Sequence, residues 1–138
     1  IQSATTADGE AVELPEPATR RVVSEEAATI ALEMMESVIT LNENRAIPGY
    51  RTGGKSVTVQ RFVPICKCYN GFTASFVGVA PVEDPQILVY VVLDEPTNGN
   101  LGSRLALPAV NDILELALPR YNVAPSTTPA AETPLTFE

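Results

Sequence analysis

The stretch RTGGKSVTVQ, residues 51–60, gathers the side chains of this sequence best suited to chemistry. Lys55 supplies a positive charge, Ser56 and Thr58 supply hydroxyls, and Gln60 supplies an amide. Hydroxyl and valine alternate with a period of two, the period of a strand. Ser56, Thr58 and Gln60 therefore point one way, and Val57 and Val59 the other. The Gly53-Gly54 pair reads as a turn feeding that strand. A lysine at a strand start beside a polar row makes either a binding edge or a solvated one. The residues alone leave both open.

The chain has no histidine. That excludes Ser-His-Asp and Cys-His arrangements, HExxH zinc sites and the usual general base near neutral pH. Lysine, carboxylate, hydroxyl or backbone groups must carry any catalysis. Cys66-Lys67-Cys68 is not CxxC and has no second pair to complete a zinc site, so no metal is expected. Either the two cysteines close a tight disulfide ring or they are free thiols in a loop. Asp94-Glu95 resembles a carboxylate pair, but neighbours in a strand point to opposite faces, so it reads as a strand end. Glu25, Glu26, Glu33 and Glu36 read as the solvated face of a helix.

The elements that must position these groups follow from the pattern. Residues 1–19 are Thr-, Ala-, Glu- and Pro-rich, without sustained period, and read as extended, with a turn at Asp8-Gly9. Ser24 caps a helix with Glu25 and Glu26 in its first turn. Ala27, Ala31, Met34, Met35 and Val38 form its apolar stripe to about Leu41, with the methionines as core fillers. Residues 42–48 break the helix, and Pro48-Gly49 marks a turn. Strands are expected at Lys55 to Val63, Phe72 to Ala80 and Gln86 to Leu93. The third is apolar on both faces and should lie inside a sheet covered on both sides. A second helix runs from Leu105 to Leu118, with Pro108 in its first turn and Pro119 ending it. Val110, Ile113, Leu114, Ala117 and Leu118 form its apolar face. From Asn122 the Pro/Thr/Ala tail reads as poorly ordered. The expected class is α/β of the α+β type: an antiparallel sheet of three successive strands flanked by helices.

At 138 residues the chain has about the length of one domain and can bury a core. A net charge of −8 argues against nucleic acid, which demands a basic patch. No apolar run reaches the roughly 20 residues that span a bilayer. The chain begins at Ile1, without methionine or a signal-peptide pattern, and reads as a piece of something longer.

Several stretches together resemble the class B penicillin-binding protein transpeptidases of the septal type. IPGYRTGGKSVTVQ is similar to that family's Gly-Tyr-Arg lead-in followed by Gly-Lys-Thr/Ser-Gly-Thr-Ala-Gln. FTASFVGVAPVEDPQILVYVVLDEP is similar to its next two strands. The resemblance runs from about Val22 to Val123 and implies the C-terminal portion of a penicillin-binding/serine β-lactamase-like fold. Residues 1–123 would be a segment of the transpeptidase domain, and residues 124–138 a tail. Of the superfamily's motifs, Ser-x-x-Lys and Ser-x-Asn are absent and only the lysine motif is matched. The nucleophile therefore lies elsewhere, and this chain alone cannot acylate.

The resemblance implies a D-alanyl-D-alanine transpeptidase that cross-links peptidoglycan stem peptides through a serine acyl-enzyme, without cofactor. Lys55 matches the motif lysine. Ser56 and Thr58 would hold the donor's terminal carboxylate, and the Thr58 backbone N–H would supply half of the oxyanion hole. Gln60 would line the groove. Val57 departs from the family, which keeps glycine there, and Val59 from its usual alanine. A branched side chain at Val57 should narrow the cleft or displace a partner helix. The alternative is a non-catalytic scaffold of the division machinery with its site blocked by Val57. A serine β-lactamase or carboxypeptidase fits the lead-in and tail less well. Implied partners are stem peptides, β-lactams, the N-terminal remainder of the domain, possibly as a second chain, and division membrane proteins. The whole protein would lie on the extracytoplasmic face of the membrane, anchored by an N-terminal helix outside this chain.

Overall fold

Ser24 starts the first helix by accepting the Ala27 N–H at 3.1 Å, satisfying one of the donors that a helix start leaves unpaired. The computed structural model describes residues 3–16, 18–40 and 46–131. The elements are α1 (Glu25–Thr40), β1 (Gly53–Val63), β2 (Cys68–Ala80), β3 (Ile87–Asp94), α2 (Gly102–Leu105) and α3 (Leu107–Arg120). The strands form one antiparallel meander in the order β1-β2-β3, as the sequence predicts. The expected helix end at Leu41, the break that begins at Asn42 and the last residues of the tail lie outside the described residues.

Pairing fixes which side chains share a face. Ser56 opposes Phe76, and Phe76 opposes Val91. These positions lie on the face that α3 covers, where Phe76, Ala80, Leu107, Val110, Leu114 and Leu118 form the core with Ile39 and Ile47. Gly54 lies on this face too, directly under the Phe76 ring. A β-carbon at Gly54 would lie 2.6 Å from Phe76 Cζ and 2.8 Å from the Val77 carbonyl oxygen. Glycine is therefore required for close packing rather than for backbone freedom. Gly53 faces the other way, against the backbone of α1 at Leu32 and Glu36.

Several expectations are corrected. Among the described residues β3 is an outer strand, not an interior one, and half-buried and exposed residues alternate along it. Leu88 and Tyr90 remain 65% and 60% exposed on the opposite face, which α1 packs against at Gly53. An apolar run reports that both faces are apolar, but not which residues of this chain cover them.

The predicted stripe of α1 is also displaced. Its buried residues are Glu36 and Ile39, while Ala27, Ala31 and Met34 are exposed and Met35 is half-buried. Only the C-terminal half of the helix reaches β1. On α3, Ile113 is exposed and Leu107 takes its place in the core.

Several boundaries move as well, and β1 begins at Gly53, so the glycine pair lies in the strand rather than in a turn before it. The β2 strand begins at Cys68 rather than Phe72, because the hairpin continues past a register shift between Gln60 and Phe62. The expected single helix from Leu105 is instead preceded by a separate short helix over residues 102–105, and α3 starts at Leu107. Pro119 does not end α3. The helix continues to Arg120, and Asn122 stops it in the left-handed conformation at φ 56°. There the Val123 N–H bonds the Leu118 carbonyl and the Asn122 N–H bonds that of Pro119, a Schellman closure.

Gly54→Ala is expected to destabilise the fold by roughly 1–3 kcal/mol through overpacking against Phe76. A lower denaturant midpoint at unchanged slope would show it; an unchanged midpoint would contradict the packing described.

Candidate functional site

A buried polar cluster lies at the lead-in to β1, and half of it is not apparent from the sequence. Arg51 Nε donates to Glu36 Oε1 at 2.9 Å and Arg51 Nη2 donates to Glu36 Oε2 at 2.8 Å, a fork-to-fork pair. The Glu36 side chain is 2% exposed and that of Arg51 11%. Glu36 is thus no solvated helix residue. Its place on the buried face next to Ile39 was the available signal, but a glutamate among four on one helix gives no hint of its partner.

The hydrogen bond from Glu36, opposed by burial and aided by the charges of Glu36, Glu83 and Glu33, raises the Arg51 pKa above the ordinary arginine value. A raised pKa means stability that is fully present below the unfolded value and lost only as pH rises through the folded one. The Arg51 contribution is therefore constant across the ordinary pH range.

The tail completes the cluster, contrary to the expectation that it is poorly ordered. Arg51 donates its backbone N–H to Ser126 Oγ at 2.9 Å and its Nη1 to Thr128 Oγ1 at 3.1 Å. The Ala131 N–H donates to Glu36 Oε2 at 3.0 Å. Tyr50 Oη donates to the Val123 carbonyl at 2.8 Å, and the Ser126 N–H to the Gly49 carbonyl at 2.9 Å. Proline and threonine predict little intrinsic order; these partners come from elsewhere in the chain.

From Arg51 the chain enters the strand that carries the candidate residues. Ser56, Thr58 and Gln60 share the α2/α3 side of β1, opposite Phe76, Ala74 and Phe72. Lys55 lies on the other face with Val57. Its ammonium curls back along the strand to the Ser56 carbonyl at 2.6 Å. The lysine and the hydroxyls therefore start from opposite faces, and the ammonium reaches the backbone at Ser56. Ser56 and Thr58, two apart, direct their backbone groups to the same side.

The Thr58 hydroxyl is already engaged, donating to the Asn100 carbonyl at 2.8 Å. To grip a carboxylate it must give up that acceptor. Gln60 is exposed and adjoins the register shift of the hairpin. Val57 is 41% exposed opposite Ser75, on the open face of the sheet. Within the described residues its side chain stands away from α2 and α3, so it displaces neither.

Cys66 and Cys68 are disulfide-bonded, their Cα atoms 5.2 Å apart, with Lys67 between them at φ 52°. The register places Lys55 opposite Val77 and Val63 opposite Cys68. At the rise of a strand, the cysteines are roughly 25 Å from Lys55. They close the hairpin tip and do not adjoin the lysine. Asp94 and Glu95 converge on Arg61, at 3.3 and 2.9 Å. They share a partner because Glu95 leaves the strand at φ 50°. These exposed pairs are worth little individually.

Residues 3–115 match the penicillin binding protein transpeptidase domain. Stage V sporulation protein D of Bacillus subtilis is 35% identical over 78% of this chain and 17% of that protein. Penicillin-binding protein PbpB of Mycolicibacterium smegmatis is 32% identical over 100% of this chain and 23% of that protein. The crystal structure of penicillin-binding protein 3 from Mycobacterium tuberculosis, complexed with ampicillin, superposes with a TM-score of 0.72 at 28% identity. It covers 95% of this chain and 32% of that one. The chain thus spans less than a quarter of the length of these two curated relatives.

Glu36→Gln is expected to cost roughly 3–5 kcal/mol, since it leaves the Arg51 charge buried without its counterion. Replacing both residues together, as Glu36→Leu with Arg51→Met, should recover most of that loss. A single substitution that leaves the unfolding midpoint unchanged would refute the pairing as a structural anchor.

Proposed function

The chain belongs to the penicillin-binding protein transpeptidase domain family, and from that premise we propose that it is the C-terminal part of a peptidoglycan D,D-transpeptidase. The observation that carries this reading is β1 itself. Among the described residues it is an outer strand with a lysine near its start, hydroxyls at the next and third positions after it, and the lysine ammonium against the Ser56 backbone carbonyl.

The reaction would proceed by acylation of a serine outside this chain. The serine oxygen attacks the carbonyl of the penultimate D-alanine, and the terminal D-alanine leaves as its amine takes up a proton. A neighbouring stem-peptide amine then attacks the acyl-enzyme and releases the serine. Ser56 and Thr58 donate hydrogen bonds to the donor's terminal carboxylate, and Lys55 supplies fixed positive charge beside it. The Thr58 N–H and the nucleophile's own N–H hold the developing oxyanion. A β-lactam would be taken in the same way, its ring amide in place of the peptide bond.

The open sheet face supports the view that the chain is incomplete in function. Leu88, Tyr90 and Val92 on β3 and Val57 and Val59 on β1 leave an apolar surface uncovered among the described residues. The N-terminal remainder of the domain, bearing Ser-x-x-Lys and Ser-x-Asn, would cover it. Division membrane proteins are the further partners proposed. No helix of the described residues is long and apolar enough to cross a membrane. The proposed anchoring helix, which places the domain on the extracytoplasmic face, belongs to another part of the protein.

Val57 favours a second reading, a non-catalytic scaffold. Its side chain stands on the same face as Lys55, where the family keeps bare backbone.

In the intact protein, Lys55→Ala is expected to lower labelling by fluorescent penicillin about 100-fold or more. Absence of labelling of the unaltered protein at high concentration would overturn the enzymatic reading. Val57→Gly separates the two readings: a gain in acylation marks a blocked site, and an unchanged rate shows that valine is accommodated.

A further inference from the structure

The β1 strand is paired on one side only, and its first two residues, Gly53 and Gly54, bring no side chains to anchor it. Beyond the ladder to β2, the position of Lys55 is therefore set from upstream. Arg51 is the anchor. Its carbonyl accepts the Val82 N–H at 3.0 Å, its guanidinium is forked on Glu36 with Glu83 at 4.0 Å, and its other hydrogen bonds come from the tail. Ser126 Oγ takes the Arg51 N–H, and Thr128 Oγ1 takes Nη1. The tail is in turn tied to the same lead-in, through Gly49, Tyr50 and Glu36.

We propose that Ser126 and Thr128 are positioning residues: through Arg51 they set where Lys55 stands at the edge of β1. This rests on the reading of that edge as the substrate-binding one. Neither hydroxyl touches the candidate site. Their effect passes through Arg51, which joins α1, the turn after β2 and the tail and is separated from the glycine pair by Thr52 alone. Without them the Arg51 backbone N–H loses its acceptor, and the guanidinium keeps only Glu36 and the more distant Glu83. The glycine pair then transmits any slack directly to Lys55.

The test uses the intact protein with Ser126→Ala and Thr128→Val combined, beside the conservative pair Ser126→Thr and Thr128→Ser. Hydrogen exchange is followed by peptide, and acylation is followed with a fluorescent penicillin. Losing two hydrogen bonds, each worth about threefold, should speed exchange over residues 49–58 about 10-fold. Peptides from β3 and α3 should keep their rates. The second-order acylation rate should fall by about the same factor, and the conservative pair should restore both.

Faster exchange spread evenly over the core would overturn the proposal, since the tail would then contribute only general stability. Unchanged acylation beside faster local exchange would overturn it as well, as would no change in either. If the unaltered protein takes no penicillin, the functional reading fails independently. The exchange pattern then still decides whether the tail sets β1.

Discussion

A buried ion pair joins parts of the chain that no local preference would bring together. Glu36 and Arg51 are almost wholly withdrawn from water, and such a pair offsets its desolvation only when geometry is good and the remaining lone pairs and donors are satisfied. Here the fork is bidentate, and the surplus acceptor and donor capacity goes to Ala131 and Thr128. The last helical turns of α1, the lead-in to β1 and the tail thus share one electrostatic centre. Rearranging the helix or the lead-in would part the two charges, and rearranging the tail would leave the Arg51 N–H without its acceptor.

That centre matters because it stands at the entrance to β1. An outer strand entered through two glycines has little to hold it except its ladder to β2 and the contacts of Tyr50 to Thr52. The absence of side chains is imposed by packing: Phe76 occupies the space above Gly54, and α1 crosses Gly53. The segment that lets the helix and the core approach the strand is therefore the one least able to fix Lys55 by itself. The anchor at Arg51 makes up the difference, and the hydroxyls of the tail complete it.

The sheet has two unequal faces. One carries Phe76, Ala74 and Val91 under α3 and α2, and is a finished core. The other carries Val57, Val59, Leu88, Tyr90 and Val92 and is apolar yet open. An apolar face of this extent is ordinary for a surface that receives another body. A transpeptidase domain of which this chain is one part would leave such a face at the division between its parts. The hairpin tip, clipped by its disulfide, lies at the far end of the same sheet, away from the lysine.

Much of this was legible from the residues. The serine cap, the period-two runs and the proline and glycine punctuation gave the element order and the antiparallel meander, because each is a local signal. The alternation along β1 separated Ser56 and Thr58 from Val57 by face, whatever lay on either side. Local signals could not say that Glu36 would be buried, since a carboxylate enters a core only with a partner, and Arg51 is distant in sequence. Nor could they say that β3 would be outer, because a both-faces-apolar strand looks the same whoever covers it. The tail was misread for a related reason: Pro, Thr and Ala supply no order of their own. Its fixed course comes from hydrogen-bond partners on Glu36, Gly49, Tyr50 and Arg51. Sequence by itself determined the strand and the residues that ride on it. Tertiary structure alone decided what holds that strand in place, because the holding groups are polar, isolated and far apart along the chain.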